Sequence, residues 1–407
     1  MNKKKLLKIL CVIMGTLALM CLGLGYGWSV FRGAFRTLYP QWTEMVLSFV
    51  FSLSMIFFGV GSFICGFLLR KFSLRQVMLI GTAVFFTGFG GVSLLPQSNS
   101  ELTIAGLYLL YGVLSGSGIG ICYNAINSSV PRFFPECKGT ISGFMMAGYG
   151  SGALILGVIA SHLIQNERVG LFLTFCILAV AIAAVLLCAV CVYGAIDAAT
   201  EKAVKNTPAA KLKGFSPAQV LRLSSFWVLQ LRNVLSYAAC LMIVEQAGNL
   251  AEHFGMAATA GLVLSVSNGL FRIPSGILCD RIGCVRTLRV GNALLLIAAA
   301  MLGLLQFNAT PLQFFLCFIL FGMSYGVTPP VSVSINEEFF GAKYRTVNYA
   351  FFSFTLAPAS LLGPTVLGFL RDRFGNTVGL TVSVVLVYAV LALILSLLIR
   401  KPDQSKW

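Results

Sequence analysis

Along its 407 residues this chain repeatedly runs through about twenty consecutive apolar residues before a short polar break, the length a helix needs to cross a bilayer's hydrocarbon core. A helix satisfies every backbone N–H and C=O within itself, as lipid demands, so this pattern restricts the fold more than any motif does. The runs lie near residues 6–28, 45–69, 76–95, 102–123, 141–163, 171–194, 226–247, 256–279, 288–306, 312–334, 348–370 and 378–399. Only 10% of residues are charged, against about 25% in a soluble domain, and mean hydropathy is +0.89. The expected fold class is an all-α polytopic membrane protein with twelve transmembrane helices.

The polar breaks set sidedness. With the N-terminus inside, 22 of the 29 Lys and Arg residues fall on inner segments or, as Lys8 and Arg289 do, just inside the run that borders one, the bias that orients membrane helices during insertion. Both termini are therefore expected in the cytoplasm, and the net charge of +16 reflects this bias rather than a nucleic-acid surface. Lys3, Lys4 and Lys5 precede a run longer than a secretory signal, which reaches Tyr26 and Trp28 at the far interface and reads as a retained first helix.

The longest break, 195–225, holds Lys202, Lys205, Lys211, Lys213 and Arg222 with two prolines and divides the spans six and six. It predicts an N-terminal six-helix bundle over 1–194, a cytoplasmic linker over 195–225 and a C-terminal bundle over 226–407. Ser216 and Gln219 have capping-box spacing before a short amphipathic piece at 220–224, expected to lie on the inner leaflet. The twelve cysteines read as small apolar fillers with no disulfide or metal role. His162 and His253 stand near outer loops and read as interfacial.

Arg272 breaks the apolar pattern at depth. A charge there costs roughly 2.5 to 3.5 kcal/mol on insertion scales, so it normally faces a cavity or a partner. Its guanidinium stays charged and offers a planar fork that matches a carboxylate with two parallel hydrogen bonds. The competing reading is a side chain that snorkels to the cytoplasmic interface, since Cys279 is only about two helical turns away. Arg232, nearer the inner end of the seventh run, reads as a snorkelling residue rather than a ligand.

A repeat relates the halves. Gly276-Ile-Leu-Cys-Asp280-Arg281-Ile-Gly283 follows the eighth run, and Gly66-Phe-Leu-Leu-Arg70-Lys71-Phe-Ser73 follows the second, an arrangement expected of parallel repeats. These motifs resemble the inner loops of the major facilitator superfamily, which implies two six-helix bundles working by alternating access. Gly283 permits a tight loop, and Asp280 is suited to attract the positive N-terminus of a helix from the opposite half. Arg70 cannot do so and is expected to pair with Glu337 or Glu338; a basic loop that only sets topology is the alternative.

Further motifs narrow the resemblance. Tyr111-Gly112, Gly116-Ser117-Gly118-Ile-Gly120-Ile-Cys-Tyr123, Phe133-Phe134-Pro135-Glu136-Cys-Lys138-Gly139 and Ser142-Gly143 are similar to the signature of the oxalate/formate antiporter family. So are Tyr26-Gly-Trp28-Ser29-Val-Phe31, Asn348-Tyr349, and Asn268-Gly269 followed by Arg272. By spacing alone, Gly112, Gly116 and Gly120 form a smooth stripe for a close neighbour, and Tyr149 projects from among Gly148, Gly150 and Gly152. The resemblance implies that Tyr26, Tyr123, Tyr149 and Tyr325 surround Arg272, with Asn268 and Phe321 alongside. Each tyrosine taken singly also reads as an interfacial or packed ring. Arg32 and Arg36, four apart beyond the first helix, read equally as an entrance that draws anions and as solvated helix ends.

Two departures bear on substrate and coupling. Oxalate carriers of that family pair the eighth-helix arginine with a lysine in the eleventh helix; aligned from Asn348-Tyr349, that position here is Leu356 or an immediate neighbour, and no basic residue lies between Arg345 and Arg371. A monoanion, or a larger acid with an apolar body, is expected. Related monocarboxylate carriers have an acid one turn before the arginine, whereas Asn268 cannot titrate. An empty carrier would move Arg272 unpaired and a loaded one neutralised, which favours anion exchange. Glu245 and Glu44 keep proton-coupled monocarboxylate symport open, and a carboxylate sensor that binds without turnover is a further alternative. Pro358 and Pro364 predict bending of the eleventh helix.

Other classes lack their residues. There is no Gly-Lys dipeptide for a phosphate loop, no HExxH, and no convincing Ser/His or Cys/His set, so an enzyme is not expected. No cofactor is expected. The expected partners are a small organic anion and the lipid bilayer, for a monomer in a bacterial cytoplasmic membrane.

Overall fold

The computed structural model describes residues 3–98, 101–204, 213–256, 260–374 and 378–406. Among them, twelve helices are long and apolar enough to cross a membrane: α1 (Leu6–Leu38), α2 (Phe49–Lys71), α3 (Leu74–Leu94), α4 (Glu101–Phe133), α5 (Lys138–Gln165), α6 (Gly170–Ala195), α7 (Ser224–His253), α8 (Gly261–Ile282), α9 (Cys284–Leu304), α10 (Pro311–Phe340), α11 (Arg345–Leu370) and α12 (Val378–Leu398). Each expected run falls on one of them. Leu187, Leu270, Phe369 and Leu397 turn outward and exposed, an arrangement suited to lipid rather than water.

Several helices overrun their apolar runs, because hydropathy reports bilayer thickness whereas a helix ends only where its backbone is stopped. α10 continues to Phe340 and stops at Gly341, whose φ is +82°. α1 continues to Leu38, so Arg32 and Arg36 stand on its last turns rather than beyond it, with Pro40 shortly after. A tighter 3-10 turn, Gly23–Gly27, interrupts α1 and carries Tyr26. α11 is built in pieces, Arg345–Ser353, Leu356–Ser360 and a wide turn at Leu361–Thr365. Pro358 and Pro364 supply no N–H to the ladder, which accounts for the interruptions.

Residues 205–212 of the expected linker lie outside the described residues. Ser216 and Gln219 form the reciprocal capping box, at 2.8 and 3.3 Å, but the helix they start is one turn, Pro217–Val220, and not an amphipathic piece at 220–224. The linker's end is tied to the end of α10 by Phe215 N donating to Phe340 O at 2.9 Å.

The chain forms two compact units. The first comprises Met1–Phe134, Gly148–Leu212 and Thr346–Phe354; the second comprises Pro135–Ala147, Lys213–Arg345 and Thr355–Trp407. The start of α5 thus belongs with the second unit and the start of α11 with the first. In the first, Phe31 stacks on Phe175 at 4.6 Å and Trp28 tilts against Tyr111 at 4.6 Å. There the glycine stripe of α4 meets α2: Gly112 lies on Leu53, while a Cβ on Gly116 or Gly120 would strike the carbonyls of Ser54 or Phe58. The second unit's core gathers Ile243, Leu295, Leu302, Phe314, Phe318, Phe321 and Val385.

Candidate functional site

Arg272 lies on α8 in the second unit and is only 5% exposed. Its Nη1 donates to the Met146 carbonyl of α5 at 2.7 Å, and its Nε and Nη2 reach Asn268 Oδ1 at 3.3 and 3.4 Å. Its hydrogen-bond partners among the described residues are neutral. The guanidinium is thus held inward by protein groups rather than extended to an interface. The approach of α5 follows from small residues: a Cβ on Gly143 would press on the Arg272 carbonyl, and one on Gly276 would strike the carbonyl of Gly139. Glycines four apart on α5 therefore let two backbones touch, which carries the Met146 carbonyl to the arginine.

α10 closes on α8 in the same way. Ser275 Oγ donates to the Arg272 carbonyl at 2.9 Å and lies 3.3 Å from the Gly326 carbonyl. Tyr325, half-buried, meets Tyr237 of α7 edge to face with centroids 5.5 Å apart. Both belong to an apolar cluster with Val234, Ala238, Leu356 and Ala359, so Leu356 contributes to a hydrocarbon wall. Phe321 departs from expectation: it is fully buried in the core with Phe314 and Phe318. One turn separates it from Tyr325, but the close contact of Gly322 with α8 leaves its ring on the packed side.

The first unit holds a chain of tyrosine rings. Tyr26 meets Tyr149 at 5.4 Å, Tyr149 meets Tyr123 at 4.8 Å, and Tyr123 stacks with Tyr349 at 6.4 Å, their hydroxyls 3.3 Å apart. Phe58 sits edge-on to Tyr123 at 5.0 Å. Gly148 and Gly152 bring α5 onto the backbone of α1 near Thr16 and Met20, which seats Tyr149 beside Tyr26. Tyr349 served in the sequence only as a family marker; its ring contact comes from the start of α11 packing on Gly66 of α2 and on Asn124 of α4, whose amide donates to Thr346 O at 3.1 Å.

The motif loop after α8 is built around a carboxylate. Asp280 accepts the N–H groups of Gly139 and Thr140 at 2.8 and 2.7 Å, and the Thr140 hydroxyl at 2.7 Å. These donors belong to the first turn of α5, whose N–H groups have no partner within their own helix and carry its positive dipole end. Gly283 takes a φ of +91° to turn the chain into α9, and Arg281 is exposed. Glu337 pairs with Lys138 at 2.8 Å and Arg345 at 3.8 Å, while Glu338 lies 3.9 Å from Lys401. Arg70, in the first unit, lies over the Phe67 ring at 5.6 Å.

With this geometry in place, comparison with known proteins gives the family. The Major Facilitator Superfamily pattern matches residues 11–364 and again 246–407. This chain belongs to the major facilitator superfamily. The uncharacterized MFS-type transporter YhjX of Escherichia coli is 30% identical over 335 residues, 81% of this chain and 79% of that protein. The oxalate:formate antiporter of Oxalobacter formigenes is 26% identical over 384 residues, 92% of this chain and 88% of that one. Among solved structures, the proton:xylose symporter XylE superposes with a TM-score of 0.70 at 15% identity, covering 95% of this chain and 94% of its own. A double-tryptophan XylE variant reaches 0.76 at 13% identity over 98% and 97%. The chain is a multi-pass membrane transporter with the superfamily's twelve-helix fold.

Within this transporter, a second buried arginine went unrecognised in the sequence. Arg232 is fully buried, not snorkelling: Nη1 donates to Asn233 Oδ1 and Thr328 Oγ1 at 2.9 Å each, and Nη2 to Asn292 Oδ1 at 2.6 Å and Leu288 O at 3.4 Å. Asn292 also donates to Ala392 O at 2.9 Å, so one polar knot joins α7, α9, α10 and α12. The available signal was three amide or hydroxyl residues, Asn233, Asn292 and Thr328, standing inside apolar runs. Of the outer pair, Arg32 is half-buried and Arg36 exposed.

Proposed function

We propose that this transporter moves small organic anions, monoanionic carboxylates in the first place, by alternating access and in exchange for another anion. The observation that carries the reading is Arg272: a buried guanidinium whose described partners are all neutral, so its charge awaits a mobile anion. The two bonds to Asn268 are long and weak, and a carboxylate that replaces them gains the charge-assisted fork. The oxalate:formate antiporter supports an organic anion, as does monocarboxylate transporter 12 of Homo sapiens, 28% identical over 141 residues or 34% of this chain. Leu356 in the hydrocarbon wall favours one negative charge over two. Asn268 has no proton to give, which favours exchange.

In this reading Tyr26, Tyr123, Tyr149 and Tyr325 supply rings and hydroxyl donors around the anion. Asp280, holding the first turn of α5, acts as a latch that opens and closes in the cycle, and the positive-inside bias supports cytoplasmic termini. The test is counterflow of labelled carboxylates into proteoliposomes. Arg272→Ala should insert and fold yet lose specific uptake, and Arg272→Lys should be impaired because a point charge replaces the fork. Normal uptake by Arg272→Ala would overturn the reading. Uptake that needs a proton gradient and no internal anion would replace exchange with symport, and binding without flux would make the protein a sensor.

A further inference from the structure

Cys279 and Cys284 flank the Asp280-Arg281-Ile282-Gly283 turn between α8 and α9. Their spacing is not that of a CxxC pair, and it is the fold that joins them. Gly283 takes a φ of +91° and donates its N–H to the Cys279 carbonyl at 3.0 Å; α9 begins at the next residue. The Cys284 side chain consequently returns over that of Cys279, and the two sulfurs stand 2.7 Å apart, both buried. A disulfide holds its sulfurs at about 2.05 Å, so closing the bond asks for less than 1 Å of further approach.

We propose that Cys279 and Cys284 form an oxidisable dithiol, a modification site whose reagent is a peroxide, and that its oxidation locks the turn that carries Asp280. One thiolate attacks an oxygen of hydrogen peroxide; the O–O bond breaks, hydroxide leaves and takes up a proton, and a sulfenic acid remains. The second thiol attacks that sulfur, the S–S bond forms and water departs. The dithiol loses two electrons and two protons, and the peroxide becomes two waters. An exogenous dithiol reverses the change by thiol–disulfide exchange.

The consequence follows from adjacency. Asp280 is the residue after Cys279, and its carboxylate grips the first turn of α5. A bridge from 279 to 284 removes the freedom of the turn between them and holds that carboxylate in its grip. That this slows transport rests on the alternating-access reading above; the bond itself does not.

The chemistry is read on wild-type protein, so no variant has to fold. Purified protein is treated with hydrogen peroxide, blocked with a maleimide and mapped by peptide mass spectrometry. The expected result is a 279–284 peptide that has lost two hydrogens and both maleimide sites, restored by dithiothreitol. The loss should be absent in Cys279→Ser and Cys284→Ser. In proteoliposomes, peroxide should reduce wild-type counterflow severalfold, reversibly, and leave Cys279→Ser unaffected. Both cysteines still free after peroxide, or oxidation confined to other cysteines, overturns the site. A bond that forms with no change in flux overturns the lock.

Discussion

The carboxylate of Asp280, at the end of α8, accepts the backbone N–H of Gly139 in the first turn of α5 at 2.8 Å, and the Thr140 N–H beside it. One acidic residue so closes two amide donors that the helix cannot satisfy internally. Asp280→Asn keeps a neutral acceptor but removes the charge that meets the helix dipole, at a cost of about 1 kcal/mol. Thermal unfolding in detergent should shift down by about 2 °C. An unchanged midpoint would mean that water serves those donors equally well.

Cys137 reports on the same carboxylate. Burial, then the negative charges of Asp280 and Glu136, push its thiol above the ordinary range. Only the thiolate is alkylated, so maleimide labelling of Cys137, followed by peptide mass spectrometry, should rise at a higher pH than for a free thiol. Asp280→Asn removes one negative neighbour and should move that profile toward lower pH. A profile identical to wild type would show that Asp280 does not act on Cys137.

Arg232 is predicted to be a brace. Arg232→Ala strands Asn233, Asn292 and Thr328 and opens a void, and should cost about 3 kcal/mol or more. Arg232→Met strands the same acceptors but fills the volume, and should cost less than Arg232→Ala by the void alone. Equal melting temperatures for Arg232→Ala and wild type would dismiss the brace.

Leu356 is predicted to set charge preference. Leu356→Lys places a second cation in the wall that Tyr325 and Tyr237 share, and should improve a dianion over a monoanion by about tenfold, or roughly 1.4 kcal/mol. Ligand-induced thermal stabilisation measures the ratio directly. An unchanged ratio would place Leu356 away from the bound anion.

The sequence by itself determined what depends on neighbours along the chain. Each membrane span is a local count of apolar residues against a bilayer of known thickness, and the Ser216–Gln219 capping box closes over three residues. The use of Asp280 was legible for a related reason: a carboxylate in a short loop after a span has few choices other than water and a helix N-terminus. Only the tertiary structure decided what depends on residues far apart. It brought Arg232 of α7 to Asn292 of α9 and Thr328 of α10, turned Cys284 back onto Cys279 through one glycine, and put Phe321 in the core while Tyr325 faces Tyr237. It also set the start of α5 with the second unit, because Gly139 and Gly143 lie as close to Gly276 as backbone permits. Hydropathy assigns a residue to the membrane but not to a face. Which face it occupies is settled by close packing between helices far apart in the sequence, 141 residues from Gly139 to Asp280 and 222 from Asn124 to Thr346.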